Sequence, residues 1–496
     1  MGRDIDIFEI KQEDQRRFTE RLYENLDALK IALAKPGFGE GEITLGAELE
    51  SCIVDKRGDV SPINMELLSD LDDPLFCHEI NKFNLEYNLP FVKAEGKPFC
   101  AMQKDAEGGF QKLCDAAKKR HANIALVGIL PTLVQENFDV ENMTDVGRYH
   151  MLNRELQNLR GGPFKVNMNG VDPLKMECDH ITLEGANTSF QVHMRMDPNR
   201  FADTFNAAQL VTPIAVALSA NSPICMGHRL WQESRIALFR HSIDNRHKDD
   251  VSWRQPSRIS FGNGWVRESV HELFAETVAL FPSIIPLIDE EDPFEALEQG
   301  RLPKLEELSL HLGTTWPWNR AVYSAKNEGH LRIEFRALPS GPSIEDMMAS
   351  AAFIIGLTMG IRDDVSDILP SMPFRFAEHN FYRAAQSGYD ARIIWPSQKQ
   401  SELQERNITD VIEETLPLME KGLEMIGVDH DEILKYAANI KERLKGRANG
   451  ATWQLDVLEQ YMEQGLSQPE ACHAMTLKYI EQQQSGKSII DWQTTI

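Results

Sequence analysis

Four stretches of this chain alternate apolar and polar residues with a period of two, and in each the polar side carries charge or a titratable ring. In ITLGAELESCIVD (43–55), Ile43, Leu45, Ala47 and Leu49 alternate with Thr44, Gly46, Glu48 and Glu50. In NKFNLEYN (81–88), Phe83, Leu85 and Tyr87 alternate with Asn84, Glu86 and Asn88. SFQVHMRM (189–196) sets Phe190, Val192, Met194 and Met196 against Gln191, His193 and Arg195. LRIEFRAL (331–338) sets Leu331, Ile333, Phe335 and Ala337 against Arg332, Glu334 and Arg336. Period-2 alternation is the pattern of a half-buried strand. A sheet built this way has one apolar face and one face crowded with carboxylates, an imidazole and guanidinium groups.

Such a face is costly to bury unless its charges are balanced. Divalent cations carrying phosphates would balance it. Glu48 and Glu50, at i and i+2, are separated along a strand by roughly 6.6–6.8 Å, which suits one metal or two neighbouring metals. Glu79 has the wrong parity to share a strand face with Glu86. Both can address one site only if Glu79 lies off the end of a strand or a bulge intervenes.

The chain of 496 residues has a net charge of −24 and a pI near 5.1. That charge repels nucleic acid and anionic membranes, so anionic substrates need local arginines. The seven cysteines include no CxxC pair; free thiols and a cytoplasmic, reducing setting are expected. The first residues lack the apolar core of a signal peptide. The longest uncharged apolar run, near Met347–Ile361, is short for a bilayer and reads as a buried helix.

The pattern predicts helices over 12–35, 104–121, 145–160, 198–218, 266–280, 291–299 and 343–361. It also predicts a buried strand over 123–129, a strand pair over 178–197 joined near Gly185, and helices from about 400 onward. Residues 1–400 read as one catalytic body and 401–496 as a mainly helical portion packed on it. Ser485-Gly486-Lys487-Ser488 mimics the end of a phosphate-binding loop, but Glu481 stands where that loop needs its first glycine. Gly262-Asn263-Gly264 lacks the third glycine of a dinucleotide fingerprint. His78, His150 and His330 read as non-ligands.

Taken in order, these segments resemble the glutamate–cysteine ligase type 2 family of carboxylate–amine ligases. GAELE (46–50), EINKFNLEYN (79–88) and SFQVHMRM (189–196) are similar to its metal-binding segments. ALSANSPICMGHRLWQESR (217–235), HLGTTWPWNR (311–320), LRIEFRAL (331–338) and EHNFYRAAQSGYDARI (378–393) resemble its later arginine-bearing pieces. A weaker likeness extends to GRANGATWQ (446–454). One departure is Leu130 before Pro131, where many bacterial members carry a histidine.

The resemblance implies an α+β, glutamine-synthetase-like fold: a curved, mainly antiparallel sheet with helices on its outer side. It implies an ATP-dependent ligase that joins glutamate to an amine, cysteine first, through a γ-glutamyl phosphate. Glu48, Glu50, Glu79, Glu86, His193 and Glu334 would then hold two or three Mg²⁺ ions, with Mn²⁺ as a substitute. Arg336, Arg320 and Arg235 would serve the transferred phosphoryl group and an acceptor carboxylate. Gln191 and Arg383 would contact substrate or nucleotide. Three other readings stay open: a different acid or amine, a guanidino phosphotransferase on the same fold, and a non-catalytic nucleotide-binding regulator.

Overall fold

The computed structural model describes residues 9–246, 255–397 and 400–496. Its strands are β1 Thr44–Asp55, β2 Phe76–His78, β3 Asn84–Lys93, β4 Ala122–Ala125, β5 Phe164–Met168, β6 Leu174–Cys178, β7 Phe190–Met196, β8 Ile224–Cys225, β9 His228–Arg229, β10 Asn319–Ser324, β11 His330–Phe335, β12 Arg392–Ser397 and β13 Gln400–Asn407. Seven of them form one sheet in the order β10-β11-β7-β1-β3-β2, with β4 also paired to β1. Every pairing in it is antiparallel. This is a mixed α and β architecture around a curled antiparallel sheet, as the alternating segments and the resemblance led us to expect.

The parity of the four strands becomes two chemically distinct faces. Leu45, Ala47, Leu49, Leu85, Tyr87, Val192, Met194, Ile333 and Phe335 are all buried in one hydrophobic core. Two helices, Phe201–Ser219 and Ile344–Arg362, belong to the same core and are buried almost all round. Both are apolar and long enough to cross a membrane by composition, yet 89% and 94% of their most apolar windows lie inside the protein. Their apolar character therefore belongs to core packing.

The helix Ile408–Met425 lies against Ile344–Arg362 at glycines. A Cβ added at Gly422 would sit 1.8 Å from the Gly356 carbonyl oxygen, and one added at Gly360 would sit 1.9 Å from that of Leu418. The backbones thus meet closely through residues without side chains. The chain from Gln400 begins with β13, hydrogen-bonded to β12, and becomes helical only at Ile408. A polar ladder, rather than a helix, thus fills 400–407.

The expected strand pair over 178–197 is not formed. β6 ends at Cys178 and pairs back to β5, while Ile181–Ala186 is a 3₁₀ turn leading into β7. Tertiary contacts fix that turn: Thr182 Oγ1 donates to the Phe138 carbonyl, and a Cβ on Gly185 would fall 2.4 Å from Asn81 Nδ2. The segment Ser485–Ser488 also has a structural job, since Ser488 Oγ donates to buried Asp346 Oδ1 at 2.6 Å.

Candidate metal and phosphoryl-transfer site

Strand register assembles the polar face. Glu334 on β11 is opposite His193 on β7, and His193 is opposite Gly46 on β1. Glu48 is opposite Gln191, and Glu50 is opposite Glu86 on β3. Arg320 on β10 is opposite Glu334. Neighbouring strands lie about 4.8 Å apart, so residues from five strands meet across a short distance.

Glu48, His193 and Glu334 offer ligand atoms that all lie within 4.8 Å of one another. His193 Nε2 is buried without a hydrogen-bond partner, and Glu48 Oε1 lies 3.5 Å from it. Burial lowers the imidazole's pKa despite the nearby carboxylates Glu48 and Glu334. A neutral ring with an orphaned nitrogen between two carboxylates fits a divalent cation. Glu334 is 1% exposed. Burial pushes its pKa up, but Arg320 and Arg336 outweigh that and hold it well below the usual carboxylate range. Arg320 Nε and Nη2 donate to Glu334 at 2.8–3.0 Å, a bidentate clamp, and Arg336 donates to Glu334 Oε1 and to Gln191 Oε1.

The other carboxylates have fewer cations. Glu50 accepts from Ser189 N at 2.7 Å, Ser189 Oγ at 2.9 Å and Gln191 Nε2 at 2.8 Å, while burial raises its pKa. Gln191 therefore links Glu50 to Arg336. Glu86 accepts from Asn88 Nδ2 at 2.8 Å and from the Cys77 thiol at 3.1 Å. Burial together with Glu48 and Glu50 pushes its carboxyl up to about 7.

Glu79 follows directly after β2, whereas Glu86 lies on β3. This resolves the parity conflict, because the two glutamates belong to different elements. Burial, then Glu86 and Glu50, raise the Glu79 pKa well above the usual range. Glu79 and Glu50 line a small inner pocket with Arg235, Arg336, Trp318 and Glu184.

Glu184 is the residue that strand parity missed. It sits on the 3₁₀ turn before β7, where no two-residue alternation marks it. Burial and Glu50 raise its carboxyl to about 8. Arg332, also on the polar side of β11, is opposite Arg195 on β7. It lines, with Arg320, Lys326, Tyr323 and Phe38, a cleft of about 1350 Å³ beside the Glu334 cluster. Arg332 Nε is buried without a hydrogen-bond partner.

The structure separates the remaining candidates. Arg235 is 2% exposed and stacks over Trp318 with its guanidinium carbon 5.4 Å from the ring centroid. Its Nε donates to Glu233 Oε1 at 3.0 Å, while Nη1 and Nη2 donate to the carbonyls of Arg336 and Ala337. These bonds prop the end of β11, and the guanidinium also lines the inner pocket beside Glu50 and Arg336. Arg383 is on the helix Phe374–Ser387 and donates to Gln386 at 3.1 Å. Among the described residues no hydrogen bond or ion pair joins it to the carboxylate face, and its helix packs on Phe201–Ser219.

With this geometry in hand, comparison with known proteins is decisive at the level of family. The model of glutamate–cysteine ligase family 2 matches residues 44–471. The chain belongs to that family. The match spans all four strands of the charged face and continues to the start of the helix Gln468–Gln484.

Among solved structures, the glutamate–cysteine ligase of Francisella tularensis, crystallised with AMP, aligns with a TM-score of 0.50. It shows 13% identity over 92% of this chain and 97% of that one. A bifunctional glutathione synthetase from Pasteurella multocida aligns at TM-score 0.43 and 12% identity, over 93% of this chain and 54% of that one. No curated protein matches the sequence. The family establishes carboxylate–amine ligation as the class of reaction.

Proposed function

We propose that the protein is an ATP-dependent ligase joining the γ-carboxylate of glutamate to the amine of cysteine through a γ-glutamyl phosphate. The observation that carries this reading is the convergence of Glu48, His193 and Glu334, clamped by Arg320 and Arg336, on the edge of a large cleft. A nucleotide complex of a protein with the same fold, that of Francisella tularensis with AMP, supports nucleotide use here.

A carboxylate does not acylate an amine at neutral pH because its oxygen is a poor leaving group. Transfer of the γ-phosphoryl of ATP to that oxygen turns it into phosphate. The amine then attacks the carbonyl carbon, the C–N bond forms, the C–O bond to phosphate breaks, and the nitrogen's proton leaves with the phosphate. Phosphoryl transfer depends on positioning and charge neutralisation more than on covalent help. Glu48, His193 and Glu334 would hold one divalent ion; Glu50, Glu79 and Glu86 would complete one or two further sites. Magnesium, with its preference for oxygen ligands and substrate phosphates, supplies neutralising charge when bound, and His193 suits manganese as well.

The chain's own groups do the rest. Arg320 and Arg336 keep Glu334 ionised at any working pH, so it stays an anionic ligand. Arg320 also faces the cleft, with Arg332 beside it, where both can meet nucleotide phosphates. Gln191 ties Arg336 to Glu50 and fixes the spacing between the two halves of the site. Seven free cysteines support a reducing, cytoplasmic setting.

The test is incubation with ATP, Mg²⁺ and glutamate, followed by cysteine, other amines and guanidino compounds, reading ADP and products by mass spectrometry. Cysteine-dependent ADP release with γ-glutamylcysteine supports the proposal, and hydroxylamine should trap the acyl phosphate as a hydroxamate. A phosphorylated guanidine, or no turnover with any acceptor, would overturn it.

A further inference from the structure

We propose that Glu184 is the residue that receives the ammonium group of an amino-acid substrate, inside the inner pocket next to Glu50 and Arg336. This rests on the ligase reading and adds a specificity-determining residue to it.

The pocket is built from Glu50, Glu79, Glu184, Asn187, Arg235 and Trp318, among others. Its two arginines hydrogen-bond elsewhere: Arg235 to Glu233 and two carbonyls, Arg336 to Glu334 and Gln191. Glu50 is satisfied by Ser189 and Gln191. No hydrogen bond to the Glu184 carboxylate is present among the described residues, although its backbone carbonyl accepts from Asn187 N at 3.0 Å and Nδ2 at 2.8 Å. Burial raises its pKa and Glu50 adds repulsion, while Arg336 offsets part of both without donating a hydrogen bond to it. A half-buried, pocket-lining carboxyl without a donor offers a place for a cation from outside.

Size narrows the choice. The cavity is about 30 Å³, enough for one or two water-sized groups. A primary ammonium fits that volume. The turn that carries Glu184 is also held in place before any ligand arrives. Ile181 N donates to Asn153 Oδ1 at 3.0 Å, Asn81 Nδ2 donates to the Thr182 carbonyl at 2.8 Å, and Gly185 lets the turn press against Asn81. Thr182 and Leu183 are fully buried, so the turn is a fixed shelf.

The ammonium can come from glutamate or from the acceptor amine, and one substitution separates the two. Glu184→Gln keeps shape and removes charge. Loss of one charge-assisted bond should raise the KM of the substrate that Glu184 holds by about 10- to 100-fold, with kcat changed much less. A selective rise for glutamate assigns its α-ammonium; a selective rise for cysteine assigns the acceptor; either supports the proposal. Calorimetric titration with each amino acid and its N-acetyl derivative reads binding without turnover. Wild type should prefer the free amine and E184Q should lose that preference.

Unchanged KM values with unchanged amine preference would overturn the assignment. A lower Mn²⁺ stoichiometry in E184Q would overturn it too, by making Glu184 a metal ligand. A wild type that forms no amide would defeat the ligase reading alone, because the calorimetric comparison stands without it.

Discussion

Replacing Glu334 by glutamine should both destabilise the protein and abolish ligation, and the structure sets the scale of the first effect. Glu334 is 1% exposed, whereas the side chains of Arg320 and Arg336 are 25% and 14% exposed. Removing one member of a buried ion pair costs about 3–5 kcal/mol, because its partner stays behind uncompensated. Arg320 is a quarter exposed and regains some water, which places the expected cost near the lower end, about 3 kcal/mol. With an unfolding entropy of about 2.1 cal/mol/K per residue, the 496-residue chain should melt about 3 °C lower. A double-mutant cycle with Arg320→Gln should return a coupling of about 1.5–3 kcal/mol, as expected for charge-assisted bonds.

The assays are calorimetric melting without metal and amide formation with Mg·ATP. The folded-state pKa of Glu334 lies below the unfolded value near 4.3. Its contribution is therefore fully present above that pH and disappears only as pH falls toward the folded value. The difference between wild type and E334Q should accordingly be flat from about pH 5 to 9. An E334Q protein that melts with wild type, shows no coupling to Arg320 and still ligates would refute the account of the site.

Glu86 and Glu184 predict the opposite pH behaviour, because their folded-state values of about 7 and about 8 lie above the unfolded ones. Metal-free protein should lose stability as pH rises from about 4.3 through those values, and Mg²⁺ should restore it at pH 8 in parallel melts. His193→Ala should weaken Mn²⁺ binding by at least about 10-fold, read by electron paramagnetic resonance, while leaving the far-ultraviolet spectrum unchanged. Arg235→Met should lower stability by about 3–5 kcal/mol by stranding Glu233, checked by denaturant midpoint. Arg383→Ala should stay within about 0.5 kcal/mol of wild type with unchanged kcat/KM.

The charged face was legible because strand parity is a local property: Glu48, Glu50, Gln191, His193, Glu334 and Arg336 are placed by period alone. Arg320 followed from the resemblance, and its register opposite Glu334 gives it a physical partner. Glu79 needed the β2–β3 connection, which no alternation marks. Glu184 lies on a turn fixed by Asn153, Phe138 and Asn81, partners between about 30 and 105 residues away in sequence, so its place was beyond any local pattern. For Arg235 the partners Glu233 and the carbonyls after β11 emerge only from packing, for they are set by tertiary contacts and no local pattern marks them.

The glycine crossing at Gly356, Gly360 and Gly422 has a bearing on how the chain is made. The helix Ile344–Arg362 is mainly apolar and buried almost all round, and one of its walls is the helix Ile408–Met425. A growing chain emerges from the ribosome at about 5–20 residues per second. For several seconds the central helix is out while its wall is still unsynthesised, and its side chains are then a target for chaperones and for other nascent chains. The catalytic sheet, whose last strand is complete at Phe335, must wait for later residues before its support is sealed.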